Sequence, residues 1–333
     1  MSQLHICNTF FERELETSLK KPLAEWMRSH PAVLQLQFLP ILYADPDDLI
    51  FVSDLPSHPD PRLQTLDTPV SIQEITHWGP SLAIKTWAEN KKIPYSIPDW
   101  QIVRKINSKV FSYLESPKLP GSRLLENAAD VENWIAQTKG PKVLKTAFGT
   151  AGNGHFHLDL PRGSLQTFLK RQFNQNLPLI GEPWVERLFD FSTQWEDNRL
   201  LGATVFENES NGTYKGTLVG PTEKIFGSFG WALEEHLSCV RPLIQKIKQM
   251  GFFGNFGIDA YVYLNNGKRL QPVVEINGRK TMSWAALQIQ KIRAPEKMLR
   301  LCYTRADSGL LPSELVVNGK LINCSRNLQI EIL

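Results

Sequence analysis

Between Gly257 and Arg279 the chain runs GIDAYVYLNNGKRLQPVVEINGR, two apolar-rich segments on either side of Asn266-Gly267. An Asn-Gly pair between such runs signals a tight β-hairpin, because both residues tolerate positive φ. The second arm runs out into Glu275, Asn277 and Arg279 at every other position. In a strand that spacing sets all three side chains on one face. Asp259 sits near the start of the first arm. Two carboxylates and an amide brought together by a hairpin make an oxygen-rich set suited to Mg²⁺; the same residues read equally well as polar hairpin ends facing water. Register decides between these. With a two-residue loop Asn265 faces Lys268, so Asp259 falls opposite Val274 and Glu275 points to the other side of the sheet. Uniting Asp259 with Glu275 requires a one-residue offset, from a longer turn or a bulge. Pro272, which has no N–H to give to the ladder, marks the place for it.

A second stretch, VLKTAFGTAGNGH, ends a strand on Lys145 and opens into Gly149, Gly152 and Gly154. Glycines let the backbone approach an anion closely and aim N–H groups at it, and a lysine adds a point charge for phosphate. The spacing is neither that of a Walker A loop nor that of the dinucleotide fingerprint. Taken alone, a glycine-rich loop after a strand is more often only a turn. A third stretch, EPWVERLFDFSTQW, carries an apolar strand out through Glu186, Arg187 and Leu188; alone it reads as an ordinary core strand.

Around these stretches the pattern is mixed α/β. LIFVSDL reads as a buried strand, SLAIKTWAENKKIPY as a helix ending before Pro94, and NSKVFSYLE as a helix capped by Asn107 or Ser108. NRLLGATVFENESNGTYKGTLVG reads as a hairpin about Asn211-Gly212, and LSCVRPLIQKIKQMG as a helix with Pro242 in its first turn. The tail after residue 283 begins as a helix and ends in two short strand-like runs. At 333 residues, 42% hydrophobic and 21% charged, with a formal net charge of +3, the composition is that of an ordinary globular protein of two domains or one subdivided domain. No block of about five like charges supports a nucleic-acid arm or a polybasic membrane patch. The opening MSQLHICNTFFERELETSLKK has no apolar h-region, so no signal peptide is expected, and no apolar run is long enough for a membrane span. Four scattered cysteines argue against a disulfide framework or structural zinc and for the cytoplasm. Cys239 reads as a buried, inert thiol. His155 and His157 fall on one face of a strand as a weak metal pair without a third ligand, better read as solvated or substrate-adjacent.

Lysine, glycine loop, glutamate-bearing strand exit, then GIDA, a hairpin and VEINGR, in this order, resemble the ATP-grasp superfamily, whose members include biotin carboxylase, glutathione synthetase and D-alanine–D-alanine ligase. The resemblance covers about residues 104 to 285 and implies an α/β (α+β) ATP-grasp fold. Residues 1–103 would form an N-terminal α/β pre-grasp domain, 104–185 the first grasp subdomain, and 186–333 the second with the metal-binding hairpin. It further implies that Lys145 and Lys109 contact nucleotide phosphates, with Lys105 a substitute for the latter. The loop Phe148, Gly149, Gly152 and Gly154 would cover those phosphates. Glu186 would be the hinge carboxylate, with the Arg187 and Leu188 backbone near adenine. Asp259, Glu275 and Asn277 would ligate Mg²⁺, with Mn²⁺ as the alternative ion, and Arg279 would steady the transferring phosphoryl group. Thr150, Ala151 and Asn153 depart from the glycines and arginine common in that loop, and Asp259 stands where biotin carboxylase has glutamate. The implied activity is ADP-forming ligation of a small-molecule carboxylate, or a peptide, to an amine or thiol, with a homodimer left open. Two alternatives are an ATP-binding module without catalysis and a kinase-like phosphotransferase.

Overall fold

Gln3–Ile6 lies at the centre of a four-stranded parallel sheet, flanked by Glu74–His77 on one side and by Leu49–Val52 and then Leu63–Thr65 on the other. The computed structural model describes residues 3–17, 20–57, 59–67, 74–149, 154–159, 164–208, 214–304, 306–317, 319–324 and 327–333. The helix Leu82–Lys91 packs on this sheet. Ser81 caps it by accepting from the Ile84 N–H at 3.2 Å, and Lys92 closes it in the left-handed region. One face of the parallel unit has its own apolar cluster, which includes Leu4, Ile6, Phe51, Ile75 and Ile84, and the other face is shared. Cys7, Phe38, Ile50 and Trp78 share one apolar cluster with Ala285, Leu299, Leu301 and Leu328 from the far end of the chain.

A second, antiparallel sheet orders Arg123–Leu125, Leu179–Pro183, Lys142–Thr146 and His155–His157. Its outer face packs on the helix Ala128–Gln137 through Leu144, Leu179 and Trp134. A third sheet, wholly antiparallel, has seven strands in the order Lys268–Asn277, Asn255–Leu264, Arg187–Glu196, Arg199–Asn208, Tyr214–Val219, Leu299–Thr304 and Asn327–Ile332. The expected turn at Asn211-Gly212 lies outside the described residues, but the strands on either side of it pair as expected. The helix Lys109–Glu115 lies against the seven-stranded sheet: Ser112 Oγ accepts from the Ile276 N–H at 3.1 Å, and Asn107 Oδ1 from the Gly278 N–H at 2.8 Å.

Three readings of local structure are corrected. Pro242 lies inside the 20-residue helix Gly230–Gln249, not in its first turn. The buried stripe Ala232, His236, Val240, Leu243, Ile244 and Ile247 runs across the proline, and its packing outweighs the one helical bond that proline forgoes. The tail has four strands after the helix Met282–Arg293, because Glu314–Val317 and Lys320–Asn323 form a separate hairpin. Cys239 is exposed. No helix among the described residues is long and apolar enough to cross a membrane.

The hairpin register is the feature that positions the site. Its turn holds three residues, Asn265, Asn266 and Gly267, the last two at φ +49° and +113°, with Leu264 opposite Lys268. That pairing holds as far as Tyr261 opposite Gln271. Then Pro272, Val273 and Val274 together face the single residue Ala260, and Asp259 emerges directly opposite Glu275. The bulge is held from the long helix. His236 Nδ1 hydrogen-bonds the Pro272 carbonyl at 2.8 Å, and its Nε2 bonds Thr193 Oγ1 at 2.8 Å. Burial lowers the imidazole to about 4, so it is neutral and carries one donor and one acceptor. The Pro272 carbonyl can only accept, so Nδ1 carries the proton and Nε2 accepts from the Thr193 hydroxyl, which itself accepts from Trp195 Nε1 at 2.9 Å.

Replacing His236 with Leu is therefore expected to cost about 1–3 kcal/mol in urea denaturation and to speed amide exchange at residues 273–275. Unchanged exchange there would show that the bulge stands without His236.

Candidate functional site

Alternation along Lys142–Thr146 sends Leu144 toward the helices and Val143 and Lys145 to the opposite face. Register adds four residues to that face. His157 and Glu182 flank Val143, and His155 and Ile180 flank Lys145. Lys145 is buried and forms an ion pair with Glu182. Burial lowers its ammonium below the usual lysine value, against the pull of Glu182. Lys109, the first residue of its helix after the Ser108 cap, is buried as well. Its Nζ donates to Glu275 Oε1 at 2.8 Å and to the Gly149 carbonyl at 2.6 Å. One salt-bridged lysine thus joins the glycine loop of the second sheet to the hairpin of the third. A pocket between them is lined by Lys109, Lys145, Ile180, Glu182, Gln271 and Val273.

On the hairpin, Asp259 accepts from Ser192 Oγ at 2.7 Å and from Asn277 Nδ2 at 3.0 Å. Ser192 in turn accepts from Gln194 Nε2 at 2.8 Å, and Thr281 Oγ1 donates to Gln194 Oε1 at 2.8 Å. Gly257 makes room for this relay, since a Cβ there would stand 2.8 Å from Gln194 Nε2. Loss of water, and next the nearby Glu275 charge, push the Asp259 carboxyl up to about 7. Asn277 Oδ1 accepts from Arg279 Nη2 at 3.1 Å, and Arg279 also forms an ion pair with Glu12 of the N-terminal helix Phe11–Glu16.

Of the residues expected at the site, Lys109, Lys145, Gly149, Asp259, Glu275, Asn277 and Arg279 converge on this cleft. Gly154 closes the loop base, its carbonyl accepting from the Thr146 N–H at 2.9 Å, while Gly152 lies outside the described residues. Phe148 packs toward the apolar cluster of Phe11 and Phe252. Lys105 is exposed beside the Phe111 ring. The Glu186 side chain is exposed and its carbonyl accepts from the Leu264 N–H at 3.0 Å. Leu188 packs with Phe189 and Phe191, and the Arg187 guanidinium lies 4.2 Å from the Tyr261 ring centroid. Glu182, four residues earlier, is the carboxylate that reaches the cleft. Its signal was the charged residue closing the apolar LIGEP strand. Ser192 and Gln194 show as polar residues inside FDFSTQW. Glu12 leaves no signal, because its partner is far along the chain.

No family model and no curated protein matches the sequence. Among solved structures, the chain resembles phosphoribosylamine–glycine ligase from Thermotoga maritima at a TM-score of 0.53 and 12% identity, covering 99% of this chain and 92% of that one. It also resembles N5-carboxyaminoimidazole synthetase from Staphylococcus aureus, solved with ADP, at 0.50 and 14% over 91% of this chain and 82% of that one. The Aspergillus clavatus N5-carboxyaminoimidazole synthase, solved with ADP and 5-aminoimidazole ribonucleotide, gives 0.50 and 12% over 92% and 83%. The chain has the ATP-grasp fold.

Within this ATP-grasp chain the cleft lies between the four-stranded antiparallel sheet and the hairpin of the seven-stranded one. The hairpin donors fit a hard divalent cation. Asp259 and Glu275 stand directly opposite each other; burial first, and then the Glu275 charge, push the Asp259 carboxyl toward protonation, and a bound cation would offset both. Among the described residues no group of three or more His, Cys, Asp or Glu is arranged for a metal, so the Asn277 amide would have to complete the set. A carboxyl raised by folding favours the fold below its ordinary value, and that contribution is lost as pH climbs to about 7. Without added divalent ion, Asp259→Asn is expected to raise the melting temperature relative to wild type more at pH 8 than at pH 5. An equal difference at both pH values in calorimetry would show that folding does not raise the Asp259 carboxyl.

Proposed function

We propose that the chain is an ATP- and Mg²⁺-dependent ligase. It would activate a substrate carboxylate as an acyl phosphate, which an amine or thiol then attacks, with ADP and phosphate released. The observation that carries this reading is the meeting of Lys109, Lys145, Asp259, Glu275, Asn277 and Arg279 in one cleft of an ATP-grasp fold. Similar folds were solved with ADP in the Staphylococcus aureus and Aspergillus clavatus proteins. Bound there, Mg²⁺ and the triphosphate would supply the phosphoryl group and its charge neutralisation.

The chain's own residues then act by position and charge. Lys109 and Lys145 offset the phosphate charge, and Glu182 orients Lys145. Asp259, Glu275 and the Asn277 amide hold the metal, with Ser192 and Gln194 fixing Asp259 from behind. Arg279 steadies the transferring group, and its pairing with Glu12 ties that position to the N-terminal unit. The substrates would be a small-molecule carboxylate, or a peptide terminus, and an amine. Four free cysteines suit a reducing cytoplasm.

ADP release measured over a panel of carboxylates and amines tests the reading. Glu275→Gln and Lys145→Met are each expected to lower turnover by about 100-fold or more, while Glu186→Gln leaves it near wild type. Wild-type turnover in Glu275→Gln would overturn the metal assignment. ADP binding without acid-dependent turnover would identify a non-catalytic module, and phosphate retained on the substrate a kinase-like use of the fold.

A further inference from the structure

His155 is not needed for the ligase reading above, yet it occupies a demanding position. It is the first residue after Gly154, and strand register sets it directly opposite Lys145 on the cleft face of the sheet. Its Nδ1 is buried and has no hydrogen-bond partner among the described residues. Buried polar atoms are nearly always satisfied, and leaving one unmade is costly. Burial first, and then the Lys145, Lys109 and Arg187 charges, hold the imidazole down to about 2, so it is a neutral ring among cations. A neutral ring can present an N–H without adding to the positive charge already there. His157, two residues on, faces the same side, but its ring lies edge-on to Trp184 at 4.4 Å. The two histidines therefore differ in surroundings, and they do not form a metal pair: their rings stand 6.4 Å apart and no third ligand joins them among the described residues.

We propose that His155 is a further nucleotide-binding residue, its imidazole N–H donating to a phosphoryl oxygen of the nucleotide beside Lys145. This rests on the ATP-binding reading of the same cleft. The root of the glycine loop, the two buried lysines and the unpartnered nitrogen all point to an anion with acceptor oxygens. Adenine, whose edge mixes donors and acceptors, has less need of the cations.

Calorimetric titration of the full chain with ADP in the presence of Mg²⁺ tests this. His155→Leu is expected to weaken ADP binding about 10-fold, and His155→Asn, which keeps an N–H near the place of Nδ1, to restore most of it. In the wild-type chain, the His155 ring nitrogen resonances should shift when ADP is added, a readout independent of how well a variant folds. Wild-type ADP affinity in His155→Leu, an equal loss in both variants, or unmoved resonances would each overturn the proposal. A wild-type chain that binds no ADP would overturn the ligase reading itself and this inference with it.

Discussion

Three residues, Pro272, Val273 and Val274, face the single Ala260, and this local excess fixes where every later side chain of the hairpin points. A strand has a period of two, so a shift of one residue would send Glu275 and Asn277 to the opposite side of the sheet. The bulge would relax toward plain pairing unless its freed carbonyl were satisfied. His236 does this from a helix whose own position depends on a buried stripe crossing a proline. Gln271 adds a second brace, donating to the Val273 carbonyl at 3.0 Å and to the Pro117 carbonyl at 2.8 Å. The apolar core and the polar site are thus one mechanical system.

Charge in the cleft is matched pair by pair. Lys109 meets Glu275, Lys145 meets Glu182, Arg279 meets Glu12 and Arg187 meets Asp190. Removing one partner from such buried pairs leaves an uncompensated charge, which is far costlier than the pair is stabilising. Two of these lysine and arginine contacts also join distant pieces of the chain: Lys109 ties the loop of one sheet to the hairpin of another, and Arg279 ties the hairpin end to the N-terminal helix.

How far the sequence was legible varies with the range of the interaction. The hairpin, the lysine before the glycine loop and the side-chain set Glu275, Asn277 and Arg279 follow from local periodicity and turn chemistry. So does the demand for an offset near Pro272, since counting residues across a turn needs no coordinates. The turn itself proved a residue longer than Asn-Gly alone suggests, and the bulge more than made up the difference. Glu182, which closes the strand Leu179–Pro183, gives no local sign that it will pair with Lys145. Only the ladder shows that Glu186 spends its carbonyl on Leu264 and turns its side chain to solvent.

By itself, then, the sequence determined the residue types of the site and that Glu275 and Asn277 share one face of their strand, because these are set by interactions a few residues long. Tertiary structure alone decided that Asp259 meets Glu275, that Glu12 reaches Arg279, that Lys109 spans two sheets and that the first residues share a core with the last. Those contacts join residues tens to hundreds of positions apart. Their existence depends on the packing of whole sheets, which no local pattern encodes.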